Sequence, residues 1–528
     1  MIMWNIARAY GDWFKGTGMK KNVVVLIILC MILVGLGGCQ KEQEQKESKA
    51  TSTPRSTVTH PAVLDDFSHI EKHLVWYHDE MIMLGTDPGV FNAFNRLLLE
   101  RGYDFVVDFV TAPTLTEGQY RSYQQNLRTY KEQGKQIDLI FTGWAVGDGE
   151  TYDDAVRDDL LLLLDDYFTD SEEGRRLYEV FSEQVWEMMR RNGKVYGVCE
   201  NGWYGHYYSA TLNKQLLKKY EVEAPKEFSF AEYFQTIQKV YEKAKVKGVD
   251  LFPIYLDAEA VYSYLGYYKV DGFWVKQTED KRVTYVNPYE DEEAKKLFAL
   301  LEEYRNVFGG YGTMSEYWDT VHAGTQIACF TPTLLYRCCS NRNTNYPSYT
   351  YEPQQMYYAM PMHNIVHGVA SWATYPEEAK TLLTLISTDE EFINLLYYGV
   401  EGVNYWLADG RVAEVEDDDI PKAPGEDFFV NDMLVYPSLA EPDNKKEVLQ
   451  KHQQEVVFLP LAAEELSKEP LSEEEKKVVA LFQKAEGLWL GEYENAEAVA
   501  EQICDELEAA NVEEVLRKRT EKIYPKEE

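Results

Sequence analysis

Residues 134–144 read GKQIDLIFTGW, and two kindred stretches precede them, LVWYH at 74–78 and DFVVDFV at 104–110. Each is a short run rich in β-branched and aromatic residues bounded by turn formers, the pattern of a strand. Helical spacing fills the intervals. Asp87-Pro88 opens one helix through Phe91, Phe94, Leu97 and Leu98, closed by Gly102. Residues 117–133 form the next, closed by Gly134. Three strand–helix units in succession predict a parallel sheet with helices on its faces. Ligands bind such sheets beyond the carboxyl ends of the strands. His78, Trp144 and Asp148 stand at those ends, so a pocket is expected there.

Working outward, a helix is expected over 173–191, then the turn Asn192-Gly193 and strands at 194–198 and 204–208. Helices follow at 212–220, 230–247 and 290–308, with strands at 252–255, 325–330 and 356–360. After Pro376 helices dominate, at 377–387, 389–398, 472–487, 496–510 and 513–523. Residues 411–443, rich in Pro and Asp, read as a long irregular segment over the surface. No short repeat is visible.

With 528 residues the chain suits two or three cores rather than one. Lys and Arg total 53 against 89 Asp and Glu, a formal charge of −36. A surface of that sign repels nucleic acid and anionic lipid, so attachment to a membrane has to be covalent or hydrophobic. The 39 Tyr and 11 Trp favour flat-ring recognition surfaces, although most such rings belong to cores.

The amino-terminal region supplies the attachment. Met19-Lys20-Lys21 precedes an apolar or small run over 23–38 that ends at Cys39. The run is shorter than the ~18 residues of a spanning helix and fits a secretory signal. Leu36-Gly37-Gly38-Cys39 resembles the bacterial lipobox, whose cysteine thiol receives a diacyl chain. Two chains on one residue suffice for stable anchoring; the other reading is a signal anchor with an incidental cysteine. Residues 1–18 are read as lying upstream of the true start, 19–38 as the signal peptide and 39–64 as a disordered tether rich in Gln, Glu, Lys, Ser and Thr. The remaining cysteines, Cys30, Cys199, Cys329, Cys338, Cys339 and Cys504, contain no CxxC. With scattered histidines, they predict no metal site and no cofactor. Cys338 and Cys339 are read as two buried thiols or a vicinal disulfide. Asp417-Asp418-Asp419 lacks EF-hand spacing and reads as a solvated run.

Several pieces together resemble one family, the extracellular solute-binding lipoproteins of carbohydrate ABC importers, with the architecture of maltose-binding protein. GKQIDLIFT at 134–142 resembles the family's G-x-x-x-D-[IL]-x-F-[ST] strand, and GKVYG at 193–197 its hinge strand. The helix PEEAKTLLTLISTDEEFINLLYYG at 376–399 with VEGVNYW at 400–406 resembles the subgroup carrying a GxEGxxY loop. LEAANVEEVLRKRTEKI at 507–523 resembles that subgroup's closing helices. The chain departs in having Cys199-Glu200-Asn201 where the family places Pro after the hinge strand. The resemblance implies an α/β fold of two lobes, the type II periplasmic-binding-protein fold, with a helix-rich carboxyl-terminal region. It assigns 65–195 plus 346–377 to the amino-terminal lobe and 196–345 plus 378–528 to the other, with crossings near 195–200, 336–358 and 372–378. It also implies a monomer lipid-anchored on the outer membrane face, with an oligosaccharide as solute and ABC permease subunits as partners. Nucleic acid is not a partner.

Sugar recognition in such clefts sets aromatic faces against pyranose C–H faces and polar groups against hydroxyls. The candidates are His78, Trp144, Asp148, Trp203, Trp274, Tyr336, Arg337, Trp372 and Glu401. Each has a structural reading beside it. Trp144, Trp203 and Trp372 are read as stacking rings or as packing, Trp274 as a ring pinning its loop, and Trp318 as core. Arg337, after Tyr336, reads as a fork onto hydroxyls or as half of an ion pair. Glu401 reads as a lobe clamp or a helix cap, and His78 as cleft-lining or structural. No GxSxG, HExxH or P-loop motif occurs. Two other functions fit a lipoprotein of this kind, a glycoside hydrolase and a ligand sensor for a membrane receptor. A binder shifts its melting temperature with sugar and leaves chromogenic glycosides intact; steady release of chromophore assigns it to the hydrolases instead.

Overall fold

The computed structural model describes residues 64–524 except 79–85, 112–121, 144–151, 203, 206, 334–347, 352–356, 359–364, 415–422, 424–430, 440, 442–443 and 468. The signal, Cys39, the tether, Cys338, Cys339 and Asp417 to Asp419 therefore lie outside the described residues.

Strand β1 (Lys72–His78) turns Leu74, Trp76 and His78 to one side and Val75 and Tyr77 to the other. Helix α1 (Pro88–Glu100) starts where the Asp87 carboxylate accepts from Gly89 N, with proline in its first turn. It buries Phe94, Leu97 and Leu98 on the sheet. Strand β2 (Phe105–Thr111) pairs with β1 in parallel over its whole length, from Lys72↔Phe105 to His78↔Thr111. After α2 (Ser122–Gln133), β3 (Leu139–Gly143) pairs with the other side of β1. The expected helix at 173–191 is two, Glu172–Tyr178 and Glu183–Met189. Ser182 caps the second, and the Trp186 ring stacks on Tyr178 across the break at 5.1 Å. The strand expected at 194–198 is displaced to β4 (Val198–Cys199), which ends this first segment.

A second sheet begins with β5 (Tyr207–Asn213) and β6 (Phe252–Leu256), the latter followed by α3 (Ala258–Tyr264). An antiparallel meander comes next, β7 (Tyr267–Val270), β8 (Phe273–Gln277) and β9 (Val283–Val286). Strand β10 (Gln326–Thr333) lies between β5 and β6, antiparallel to the first and parallel to the second. Strand β11 (Ser348–Tyr351) pairs with β5 on the outer edge. Residues 348–351, expected in the amino-terminal lobe, thus belong to the second sheet: β5 offers them its free edge.

After β12 (Tyr357–Tyr358) the chain returns to the first sheet. Strand β13 (Ile365–Val369) runs antiparallel between β3 and β4, giving the order β2-β1-β3-β13-β4. Helices α4 (Pro376–Thr388) and α5 (Glu390–Tyr398) pack on this sheet's core through Leu382, Leu383, Ile386 and Phe392, whose ring meets Phe94 at 5.0 Å. The assignment of everything after 377 to the second lobe therefore needs correction. The segment read as irregular, 411–443, opens with β15 (Arg411–Glu414), the second strand of a hairpin whose first is β14 (Tyr405–Ala408). The hairpin's tip, Asp409-Gly410, has φ of 52° and 76°, the left-handed pair that two-residue hairpins require. Helix α6 (Lys445–Glu455) and β16 (Val456–Val457) lead back to the second core, and β16 pairs in parallel with β12.

The closing helices α7 (Glu473–Lys484), α8 (Ala496–Ala509) and α9 (Val512–Ile523) cover that core, as their apolar spacing implies. Arg519, 2% exposed, fastens α9. Its guanidinium donates to Glu475 Oε1 at 2.8 Å and lies 4.2 Å from the centre of the Phe273 ring. The other Glu475 oxygen accepts from Ser472 N in the capping box of α7. Removing Glu475 leaves the buried guanidinium with Asp271, at 3.6 Å, as its acidic partner among the described residues. Glu475→Ala is expected to cost about 3 kcal/mol by urea unfolding, and a loss below ~1 kcal/mol would mean that water reaches the guanidinium.

Candidate functional site

Both sheets point the same ends at one another. Strands β1 and β3 are parallel and finish at His78 and Gly143, where β13 begins and β4 leaves. In the second sheet β6 and β10 finish at Leu256 and Thr333, beside the start of β5 at Tyr207. Among the described residues the chain passes between the lobes three times at this end, between 199 and 207, between 358 and 365, and over 455–457. Val456 belongs to the first core and Val457 to the second. The crossing expected at 372–378 is absent, because that stretch stays on the first sheet. Tyr357 and Tyr358 pair with Val456 and Val457, and Gly205 of the first crossing packs on them. A Cβ on Gly205 would lie 2.6 Å from the Tyr358 carbonyl oxygen. The space between the strand ends is the candidate site.

His78 stands at the expected end, yet it is 1% exposed, stacked on Phe141 at 4.4 Å and 6.0 Å from the ring of His367. Burial pulls His367 down to about 3, so that imidazole stays uncharged at neutral pH. This layer of rings forms the floor of the first lobe rather than an open surface. Glu401 is exposed at the same end. Its turn is closed by Gly402 N donating to Tyr405 O, and Asn404 reaches the Asp87 cap of α1. Trp144, Asp148, Trp203, Tyr336 and Arg337 lie outside the described residues.

Two of the expected rings are elsewhere. Trp274 is 1% exposed inside the second core, against Tyr262 at 4.9 Å and Trp489 at 5.5 Å. The turn through Gly272 ends two residues before it and β8 begins at Phe273, so it is a strand residue and not a loop one. Trp372 follows β13, which runs antiparallel to β3, and this carries it to the opposite end of the sheet from His78. There its indole donates to Lys135 O at 2.9 Å. Neither ring lines the space between the lobes.

The second lobe contributes residues that the sequence reading passed over. Asp257 follows β6 directly and accepts from Glu259 N at 2.8 Å, capping α3. Tyr268 stacks on Tyr358 at 5.0 Å, and the Tyr358 hydroxyl accepts from Gln277 N and donates to Gly266 O. Burial and then the Glu259 charge push the hydroxyls of Tyr208 and Tyr262 upward, and that of Tyr268 to about 12. Burial and then Asp257 do the same for Tyr255, also to about 12. These phenols therefore keep their protons. The lip offers ring faces, hydroxyl donors and carboxylate acceptors, a set suited to a polyhydroxylated guest. A signal was present, DAEAVY directly after an apolar strand, but it also reads as an ordinary helix cap.

The fold has solved counterparts. An N-glycan transport solute-binding protein from Streptococcus pneumoniae aligns with a TM-score of 0.61 and 16% identity, over 87% of this chain and 100% of that one. Its complex with Man1GlcNAc aligns with a TM-score of 0.53 and 16% identity, covering 86% and 99%. An extracellular solute-binding protein from Bifidobacterium longum subsp. infantis aligns with a TM-score of 0.52 and 12% identity, covering 86% and 97%. No protein-family model and no curated protein matches the chain. The shared fold is the two-lobed α/β fold of type II periplasmic binding proteins.

Because Gly205 sits where three crossings touch, Gly205→Ala must push the Tyr358 strand away. The expected loss is about 1–3 kcal/mol of stability, read as a lower urea midpoint, and an unchanged midpoint would show that the crossings are not in firm contact.

Proposed function

We propose that this chain is an extracellular substrate-binding protein that captures a carbohydrate, most simply an oligosaccharide, between its lobes and hands it to an ABC importer. It performs no chemistry. Diacylation of Cys39 holds it to the outer face of the membrane, residues 40–59 serve as the tether, and it works as a monomer facing the permease subunits.

The observation that carries the reading is the lip of the second lobe. At the carboxyl ends of β6 and β10, beside the hinge, the partly exposed Glu259 carboxylate stands with the partly exposed Tyr262 and Tyr268 over the buried Tyr208. Protonated phenols donate to sugar oxygens, the carboxylate accepts from sugar hydroxyls, and a ring face matches a pyranose C–H face. Lobe closure strengthens each of these contacts by excluding water. It is a population shift, driven by contacts that exist only in the closed state. Fold counterparts that include a protein crystallised with Man1GlcNAc support the carbohydrate assignment.

The lip also disfavours anions. A guest carboxylate about 4 Å from Glu259 would be opposed by ~4 kcal/mol at an effective dielectric of 20, whereas a hydroxyl there forms a hydrogen bond.

The test is a thermal-shift screen over neutral oligosaccharides, including mannosyl-N-acetylglucosamines, and over their uronic acid counterparts. A neutral ligand at a hundred times its Kd should add about 2.7 kcal/mol, and Tyr268→Ala should weaken it about tenfold. If dozens of glycans leave the transition in place while a peptide or amino acid raises it, the carbohydrate assignment fails.

A further inference from the structure

Two of the three crossings are bound to each other and to the first lobe by a ring of buried polar contacts. Asn201, 4% exposed, is its centre. Its backbone oxygen accepts from Asp432 N at 2.9 Å. Its side-chain oxygen accepts from Tyr204 Oη at 2.6 Å and from Gln453 Nε2 at 2.9 Å. Its side-chain nitrogen donates to Val180 O and to Asn431 Oδ1, each at 3.2 Å. Asn431 in turn donates to Ser387 O of α4 at 2.7 Å. Asp432 forms an ion pair of 3.0 Å with Lys445, the first residue of α6, and Lys445 also meets Glu441 at 3.2 Å. The side chains of Lys445 and Asp432 are each 7% exposed.

Helix α6 is therefore pinned at both ends. Lys445 holds its start to Asp432, and Gln453 near its end reaches both Asn201 and the Gly202 carbonyl. Apolar packing at these places would be non-directional and would let the segments slide. Hydrogen bonds of this length fix orientation as well as distance. The first crossing as far as Tyr204 and the third as far as Glu455 thus move with the first lobe. Among the described residues of the crossings, Gly205, Tyr357–Tyr358 and Val456–Val457 remain to bend.

We propose that the Asn201–Asn431–Asp432–Lys445–Gln453 ring is a conformational device that confines lobe bending to this short line and so sets the open-to-closed equilibrium. The inference needs only the two-lobed fold and holds whatever solute is bound.

It is tested on the full chain without ligand, by pulsed electron-spin distance measurements between spin-labelled unnatural amino acids at Glu100 and Val246. Both positions are exposed, one at the end of α1 and the other at the end of the second lobe's helix Phe230–Val246. Asn431→Ala and Gln453→Leu should broaden the distance distribution and change the ratio of its populations by at least about threefold. Phe482→Leu, in the second core and away from the hinge, lowers stability and should leave the distribution as it is. If the ring variants reproduce the parent distribution while melting as early as Phe482→Leu, the ring is only a brace and the proposal is overturned. Should Gln453→Leu fail to fold, Gln453→Asn shortens the same side chain by one methylene and is read by the same criterion.

Discussion

Everything functional in this molecule depends on a contact between backbones: two residues of β12 paired with two of β16, with Gly205 lying against them. A side chain at Gly205 would overlap the Tyr358 carbonyl, so the three crossings touch only because that position carries none. Their meeting point fixes which ends of the two sheets share a space. The first sheet delivers the ends of β1 and β3 there, and the second the ends of β6 and β10. Tyr358 extends the constraint outward, because its hydroxyl bonds to the β8 end and to the Gly266 carbonyl. The stacked pair Tyr268–Tyr358 is then part of the hinge and part of the lip together.

The two sides of the cleft differ in chemistry for physical reasons. On the first lobe the layer of Trp76, His78, Phe141 and His367 is buried, and burial keeps His367 neutral down to about 3. Such a layer supplies shape and rigidity. On the second lobe the carboxylates of Asp257 and Glu259 remain partly exposed at the start of α3. There the neighbouring tyrosines hold their protons. A buried floor and a partly exposed polar lip are the two surfaces that the proposed capture would use.

How much of this was legible in the sequence follows from where the signals are local. Strands 74–78, 104–110 and 137–141 and the long amphipathic helices could be read because burial writes period and composition into every residue. The Asp of the G-x-x-x-D stretch is also explained: buried Asp138 accepts from Val75 N, Gln136 and Tyr375 N, tying β1 to the start of α4. The Asp409-Gly410 turn was readable and was passed over just before a Pro- and Asp-rich stretch. A strand of two residues such as β16 carries no period at all, which is why the third crossing was misplaced and α4 and α5 went to the wrong lobe. Trp372 misled because nothing in the sequence says that β13 enters antiparallel. Trp274 misled because a tryptophan after glycine looks like a loop until the meander around it is known. Glu259 was missed because a carboxylate in a helix's first turn is common for reasons of stability alone.

The division between bending and bracing can be argued from bond counts. A parallel ladder two residues long contributes few hydrogen bonds, and at about 0.5–1.5 kcal/mol net for each its distortion is affordable within the free energy of ligand binding. The ring around Asn201 is different in kind. It joins segments separated by 252 residues through Gln453 and contains a cation with almost no exposure. Opening it strands buried polar groups, at a cost of about 1–3 kcal/mol for each neutral one and more for the charge. Motion follows the softer path. A hinge with every crossing equally loose would let the lobes twist as well as close, and the lip of the second lobe would meet the floor of the first in many registers. Bracing two crossings leaves one axis, and one axis is what allows Glu259 and its tyrosines to arrive over the same place each time the lobes shut.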